Sequence, residues 1–392
     1  MTDITFTVEE LTLPEEPGAT GWNDFVAMVA VQNAADAEVY GTDELSFTPE
    51  ELLPVWHNQR YEPKRALVAR SAGRIVARAT FERLAAGDTD QAPAEPASTA
   101  VAWLSVQVLP EWRRHGIGRA LTDAIEALAA HDGCRTLIVY AASHPAPGPA
   151  LPSPTGRGAL PLDNAEVRFL LKRGYRLEQV KRGSRLALPI GPDLLSSFAE
   201  QAAEFAGTNY IVYCWRDATP PVWRADIALL YTRMSTDAPT AGLHEPEDVW
   251  TTERLVDEER SLAHSPRLLL TAAVRHIPSG RLVGFTQLSV PAEESRPVSQ
   301  EETLVLREHR GHRLGMLLKA ANLHYLRRES PGHPSIIDFN AEENRHMLAV
   351  NEALGYVSIG YEGAWRRSLT EPAIRSDRSA RDSATGPNSD RA

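Results

Sequence analysis

The chain has 392 residues, 43% of them hydrophobic and 24% charged, the balance of a globular protein long enough for two domains with separate cores. A net charge of −11 argues against nucleic acid as the main partner, and no run approaches the ~18 apolar residues of a membrane span. Cys134 and Cys214 are the only cysteines; neither sits in a CxxC, which argues against a disulfide scaffold or a zinc site. The acidic N-terminus lacks a positive segment followed by an apolar one, so no secretory signal is expected and the compartment reads as cytoplasmic.

In chain order, Thr2–Val8 alternates and predicts a strand. Trp22, Phe25, Val26 and Val29 predict a helix over Gly21–Val31, and Thr48-Pro49-Glu50-Glu51 starts a second, threonine capping and proline in the first turn. Arg65–Arg70 and Arg74–Glu82 form a hairpin across Ser71-Ala72-Gly73, and Ala85–Thr99 reads as a surface loop. The apolar run from Val101 to Val108 is a buried strand that Pro110 ends, because proline has no N–H for a ladder. Ile117, Leu121, Ala124, Ile125 and Leu128 mark the buried face of the next helix. Thr136–Ala141 is a strand, and the Pro/Gly-rich Ser143–Pro161 is expected to be mobile, outside helix and central sheet. Helix Asn164–Arg173 and strands Tyr175–Val180 and Arg185–Ile190 close the first half.

Pro192–Phe205 is an amphipathic linking helix. The second half predicts strand Tyr210–Trp215, helices Trp223–Met234 and Glu247–Arg260, and paired strands Leu268–His276 and Leu282–Val290 across a Pro278-Ser279-Gly280 turn. Strand Thr303–Leu306, helix Leu314–Leu326, strand Ser335–Phe339 and helix Ala341–Ala353 follow. Leu369–Ala392, nearly free of large apolar residues, is expected to be disordered. The organisation is therefore 1–190, a linking helix 191–207, 208–369 and a tail 370–392.

The junction Arg113-Arg114-His115-Gly116-Ile117-Gly118 sets a glycine turn between a strand and a helix. The helix's first N–H groups lack internal partners and carry the positive end of its dipole, which suits a pyrophosphate. Neither a Walker GxxxxGK[ST] nor a Rossmann GxGxxG is present. Arg113, Gly116 and Gly118 resemble the [Q/R]-x-x-G-x-[G/A] acyl-CoA loop of the GNAT acetyltransferases; the hexapeptide alone fits an ordinary strand–turn–helix equally well. A second copy decides between them. Val305, Arg310 and Gly315 follow Val108, Arg113 and Gly118 at one constant offset, and Gly174-Tyr175 is matched by Gly355-Tyr356. The chain is similar to a tandem pair of GNAT domains.

That resemblance implies two mixed α/β domains, each a central, mostly antiparallel sheet splayed at the acyl-CoA site and flanked by helices. It implies acetyl-CoA as donor, no metal, and a small-molecule primary amine as acceptor, with no nucleic acid or membrane partner. A monomer suffices, because the halves can pair within one chain. Cofactor-binding positions carried over are Val106, Val108, Arg113, Arg114, His115, Gly116, Ile117, Gly118 and Arg119 in the first half, and Val305, Arg310, Gly311, His312, Arg313, Leu314, Gly315 and Asn344 in the second. His309 and His312 are three apart, but within this loop they read as solvated or phosphate-facing rather than metal ligands.

A general base is expected on the strand before the loop. The first half has no acid there; the second has Glu302, which strand alternation places on one face with Gln300 and Leu304. The family's tyrosine proton donor falls on Leu170 and Asn351, neither an acid, leaving solvent, Tyr356 or Tyr361. Arg313 replaces the glycine of the first loop. The first half thus has the better loop and the second the base, a layout similar to tandem members in which only the C-terminal half is thought to be catalytic. The alternative is a non-catalytic acyl-CoA-binding module serving regulation or scaffolding.

Overall fold

The computed structural model describes residues 4–85 and 100–369. Residues 86–99 of the loop expected over Ala85–Thr99, the first three residues and the tail from 370 lie outside the described residues. The first half runs β1 (Thr7–Glu10), α1 (Trp22–Tyr40), α2 (Pro49–His57), β2 (Lys64–Ser71), β3 (Arg74–Glu82), β4 (Val101–Val108), α3 (Ile117–His131), β5 (Thr136–Ser143), β6 (Ala150–Pro152), β7 (Ala159–Pro161), α4 (Ala165–Lys172) and β8 (Arg176–Ala187). After α5 (Pro192–Ala206) the second half runs β9 (Tyr210–Arg216), α6 (Arg224–Asp237), α7 (Thr252–Leu262), β10 (Leu268–His276), β11 (Arg281–Val290), β12 (Val298–Val305), α8 (Leu314–Glu329), β13 (Ser335–Ala341), α9 (Arg345–Leu354) and β14 (Val357–Ser368).

One 12-stranded sheet spans both halves in the order β1-β2-β3-β4-β5-β14-β8-β13-β12-β11-β10-β9. The last strand of each half is exchanged. β14 lies against β5, Tyr361 opposite Ser143 through Ser368 opposite Thr136, and β8 lies against β13, Ser335 opposite Ala187 through Ala341 opposite Lys181. Neither half completes its sheet from its own strands. Here the structure corrects the sequence reading: Tyr175–Val180 and Arg185–Ile190 are not separate strands but parts of β8. The polar stretch Lys181–Ser184 resembles a turn in sequence, yet its backbone is paired on both sides, by β13 and β14. β14 itself had no predicted counterpart.

Smaller corrections have local causes. Helix α1 continues past Val31 to Tyr40, where Gly41 takes the left-handed φ of 69° that ends it. Thr251 caps α7, so that helix starts after Glu247. Asn344 caps α9, leaving Ala341 in β13. Ser143–Pro161 is not a loose run: β6 and β7 form a separate hairpin, and Leu160 anchors it in the first core at 1% exposure.

Helix α2 ties the halves together. Its capping box pairs Thr48 and Glu51, with Thr48 N–H donating to Glu51 Oε2 at 2.9 Å. The same buried carboxylate accepts from Arg267 Nη1 (3.0 Å) and Arg296 Nη2 (2.8 Å) of the second half. Two pairs of parallel strands splay. β4 and β5 pair only from Val101/Thr136 to Leu104/Val139, and β12 and β13 only at Val298/Ile336 and Ser299/Ile337. Beyond those points each pair diverges toward its glycine loop.

Candidate active site

Each splay ends in a loop of the same backbone shape. In the first loop Arg114 (φ 68°) and Gly116 (φ 85°) are left-handed; in the second, Gly311 (φ 86°) and Arg313 (φ 55°) are. Glycine and arginine have exchanged places over a conserved pair of turns, so Arg313 does not remodel the loop. Its guanidinium leans over Phe205 of α5, 4.7 Å from the ring centroid. Whereas α2, α7 and α9 carry side-chain caps, α3 and α8 have none and no acid in their first turn. Their leading N–H groups therefore keep an uncompensated positive end.

The loop residues divide by what they offer. Ile117 and Leu314 are buried in the cores, so only their backbone can face a ligand. Val106 and Val108 pack on the α3 core and Val305 on the α8 core. A Cβ on Gly118 would sit 3.5 Å from Val108 Cγ2, which fixes how closely α3 starts against β4. Arg113 and Arg310 are already occupied. Each donates from Nε to the carbonyl at the end of its strand, Val108 O and Val305 O, both at 3.0 Å. Each also pairs with an acid on the first helix of its half, Glu38 (2.9 Å from Nη1) and Asp237 (3.4 Å). Their side chains brace the loop. Arg114, His115 and Arg119 remain at the first mouth, the two arginines exposed. His312 rests against Tyr210, 5.3 Å between ring centroids, and Tyr210 Oη lies 3.0 Å from His309 Nδ1.

The halves differ most at the base. β3 and β4 pair without interruption from Ala77/Val108 to Glu82/Trp103. Between β11 and β12 the register slips: Thr286 opposes Thr303 but Leu288 opposes Gln300, so Glu301 and Glu302 share Gln287 as partner. This is a β-bulge in β12. Gln300 Nε2 and Thr303 Oγ1 both reach Thr286 Oγ1, at 3.0 and 2.7 Å, and so lie on one face. The expected grouping of Gln300 with Glu302 is thereby corrected. The bulge turns two consecutive carboxylates to the other face, with Leu304, where the first half presents Ser105 alone.

Neither Glu301 nor Glu302 has an ion pair among the described residues. Glu302 is partly exposed, but the protein walls around it desolvate the carboxylate. That desolvation, reinforced by repulsion from Glu301 and Asp338 and only partly relieved by Lys181, pushes its pKa up to about 7. Lys181 projects from exchanged strand β8 and lies 4.0 Å over the Tyr140 ring.

Asn351, the position of the family's donor tyrosine, is buried in a network. Lys319 Nζ donates to Asp338 Oδ2 (2.7 Å) and Asn351 Oδ1 (2.8 Å), and Asn351 Nδ2 donates to Asp338 Oδ2 (2.9 Å) and Asn340 Oδ1 (2.7 Å). Tyr356 is buried beside it, its pKa raised by burial and Asp338. Tyr361 lies elsewhere, in a cavity with Ser143 and the β6–β7 hairpin. Leu170, Asn351's counterpart, is plain core. Asn344 Oδ1 accepts from Met347 N at 3.4 Å and so serves as a helix cap. Sequence reasoning missed Glu301, Lys181, Lys319 and Asp338. Only Lys319 left a trace, as a charge among the mostly apolar residues of a predicted helix.

Residues 34–148 match the profile of the Acetyltransferase (GNAT) family. The chain is similar to a mycothiol acetyltransferase of Thermobifida fusca (strain YX), 26% identical over 338 residues, covering 84% of this chain and 91% of that protein. Among solved structures it is similar to a tandem GNAT protein from the clavulanic acid biosynthesis pathway, with a TM-score of 0.63, 22% identity, and coverage of 93% and 98% of the two chains. It also resembles a GCN5-related N-acetyltransferase from Sphaerobacter thermophilus, with a TM-score of 0.56, 16% identity, and coverage of 94% and 97%. No described helix is long and apolar enough to cross a membrane.

Proposed function

We propose that this chain is a tandem GNAT acetyltransferase that transfers an acetyl group from acetyl-CoA to a primary amine of a small molecule, with its C-terminal half catalytic. The β12 bulge carries the reading: it sets Glu302, a carboxylate with a pKa near neutrality, at the root of the wider splay. The first half keeps a matching loop but shows Ser105 where the acids stand, and fits a cofactor-binding or structural role. Resemblance to a mycothiol acetyltransferase and two free cysteines, Cys134 and Cys214, fit a reaction in the cytoplasm.

The residues suit the donor. Uncapped helix starts at Ile117–Arg119 and Leu314–Met316 offer N–H groups to a pyrophosphate, and diverging β12 and β13 leave backbone groups free for a pantetheine arm. Bound there, acetyl-CoA supplies an activated thioester. Glu302, ionised above pH about 7, takes the proton from the incoming ammonium directly or through a water. The backbone beside Val305 donates to the oxyanion. Asn351, locked by Lys319 and Asp338, is not a proton donor in the tyrosine's sense, so the departing thiolate takes its proton from water or through the Lys319 network.

Calorimetry with acetyl-CoA and a CoA-release assay over a panel of primary amines test this reading. Saturable binding with turnover that Glu302→Gln abolishes is expected; absence of any saturable heat would sink it.

A further inference from the structure

The two halves cover each other's acceptor faces, and they do so unequally. The last residue of α1 and the segment after it lie across β12 and β13. Tyr40 packs edge-on against Phe339, 5.8 Å between ring centroids, and Glu44 accepts from Arg185 Nε (2.7 Å) and Ser335 Oγ (3.1 Å). The segment after α6 makes the reciprocal crossing onto β4 and β5. Glu245 accepts from Trp103 Nε1 and Tyr140 Oη, both at 3.0 Å, and Leu243, 1% exposed, fills the space between Val101, Ile138 and Ala364. That face of the first half is shut by a leucine.

Over the second half the crossing leaves room. A cavity of about 240 Å³ lies on the side of the sheet away from α8, lined by Leu45 and Ser46 of the first half and by Ser299, Glu301, Ile337 and Phe339 of the second. It opens where the pairing of β12 with β13 stops, at Ser299/Ile337. Asp36, from α1, contributes a second carboxylate without an ion pair among the described residues. The charges of Glu44 and Arg267 in the same wall are taken up by Arg185 and Glu51.

We propose that the first half selects the acceptor for the second: Leu45 and Ser46, laid across the splay of β12 and β13, form one wall of the amine pocket, while Leu243 and Glu245 close the equivalent face of the first half. The proposal rests on the reading of the C-terminal half as catalytic and deepens it. It assigns specificity to residues of the non-catalytic half, and it favours an acceptor that carries its amine on a compact, positively charged body, because Asp36, which accepts only from Gln107 Nε2 at 3.3 Å, and Glu301 line the cavity with no ion pair among the described residues.

The test uses the full chain and a bisubstrate probe, coenzyme A joined from its sulfur through an acetyl bridge to one nitrogen of putrescine. The probe should bind wild type at least about tenfold tighter than coenzyme A in calorimetry. Ser46→Trp and, independently, Leu45→Trp should erase that gain while holding coenzyme A affinity within about twofold, which also reports that the variants are folded. A gain that survives both substitutions, or no gain in a wild type that binds coenzyme A, would overturn this proposal and leave the loop reading standing. Failure of wild type to bind coenzyme A would sink both.

Discussion

Glu302→Gln separates the electrostatics of the bulge from the chemistry assigned to it. The carboxylate titrates at about 7 in the fold against 4.5 for the unperturbed group. A raised carboxylate pKa means the fold prefers the neutral form. The contribution is thus fully present below pH about 4.5 and lost as pH rises through about 7. At ~1.4 kcal/mol per pH unit the gap corresponds to at most ~3.5 kcal/mol, and partial exposure reduces it to roughly 1–3 kcal/mol. Glutamine keeps the shape without the charge. Urea unfolding should show the variant more stable than wild type by about this amount near pH 8.5 and the two nearly equal at pH ~4, below the unfolded value. Wild-type kcat/KM should rise with pH through about 7 as Glu302 ionises, and the variant should lose that limb together with roughly 10²-fold or more of kcat. Equal stability of the two proteins at both pH values would refute the desolvation argument. Unchanged turnover would remove Glu302 from the mechanism.

Placing an acid at each uncapped helix start reads the two loops separately. Gly315→Asp, where a Cβ meets nothing within 4 Å, should weaken acetyl-CoA binding at the second half about tenfold or more and, if that half is the catalytic one as proposed, suppress turnover; Gly118→Asp should remove only the first half's binding. Lys319→Met leaves Asp338 charged in the core and should cost about 3–5 kcal/mol in chemical unfolding, much of it restored by adding Asp338→Asn. Glu51 is a depressed carboxylate: burial raises its pKa, but bonds from Arg296 and the Thr48 N–H and the charge of Arg267 more than offset that. Its stabilisation should be present above pH about 4.5 and lost below, and Glu51→Gln should flatten that acid limb in thermal melts.

Much of the architecture was legible in local pattern. The strand–glycine–helix junction, its second copy, the Thr48 cap and the β2–β3 and β10–β11 hairpins depend on neighbours within a few residues, where periodicity and capping chemistry operate. The expectation of a tandem GNAT layout came from the resemblance that the two copies of the junction carry. The identity of the strands beside β5 and β13 was not legible, because Lys181–Ser184 reads as a turn until two distant strands satisfy its backbone. Alternation placed Glu302 with Gln300, and a single extra residue in β12 reversed that, since one inserted residue flips every side chain beyond it. Arg113 and Arg310 look like phosphate ligands in sequence, and only the fold brings Glu38 and Asp237 against them.

Sequence by itself therefore determined that the chain carries two phosphate-suited helix starts, each following a strand. Tertiary structure decided which half holds two adjacent acids, Glu301 lining an open cavity, and which is closed by Leu243. The physical reason is range: dipoles, caps and turns are set by adjacent residues, whereas desolvation and cavity shape depend on segments that meet only when both halves fold together.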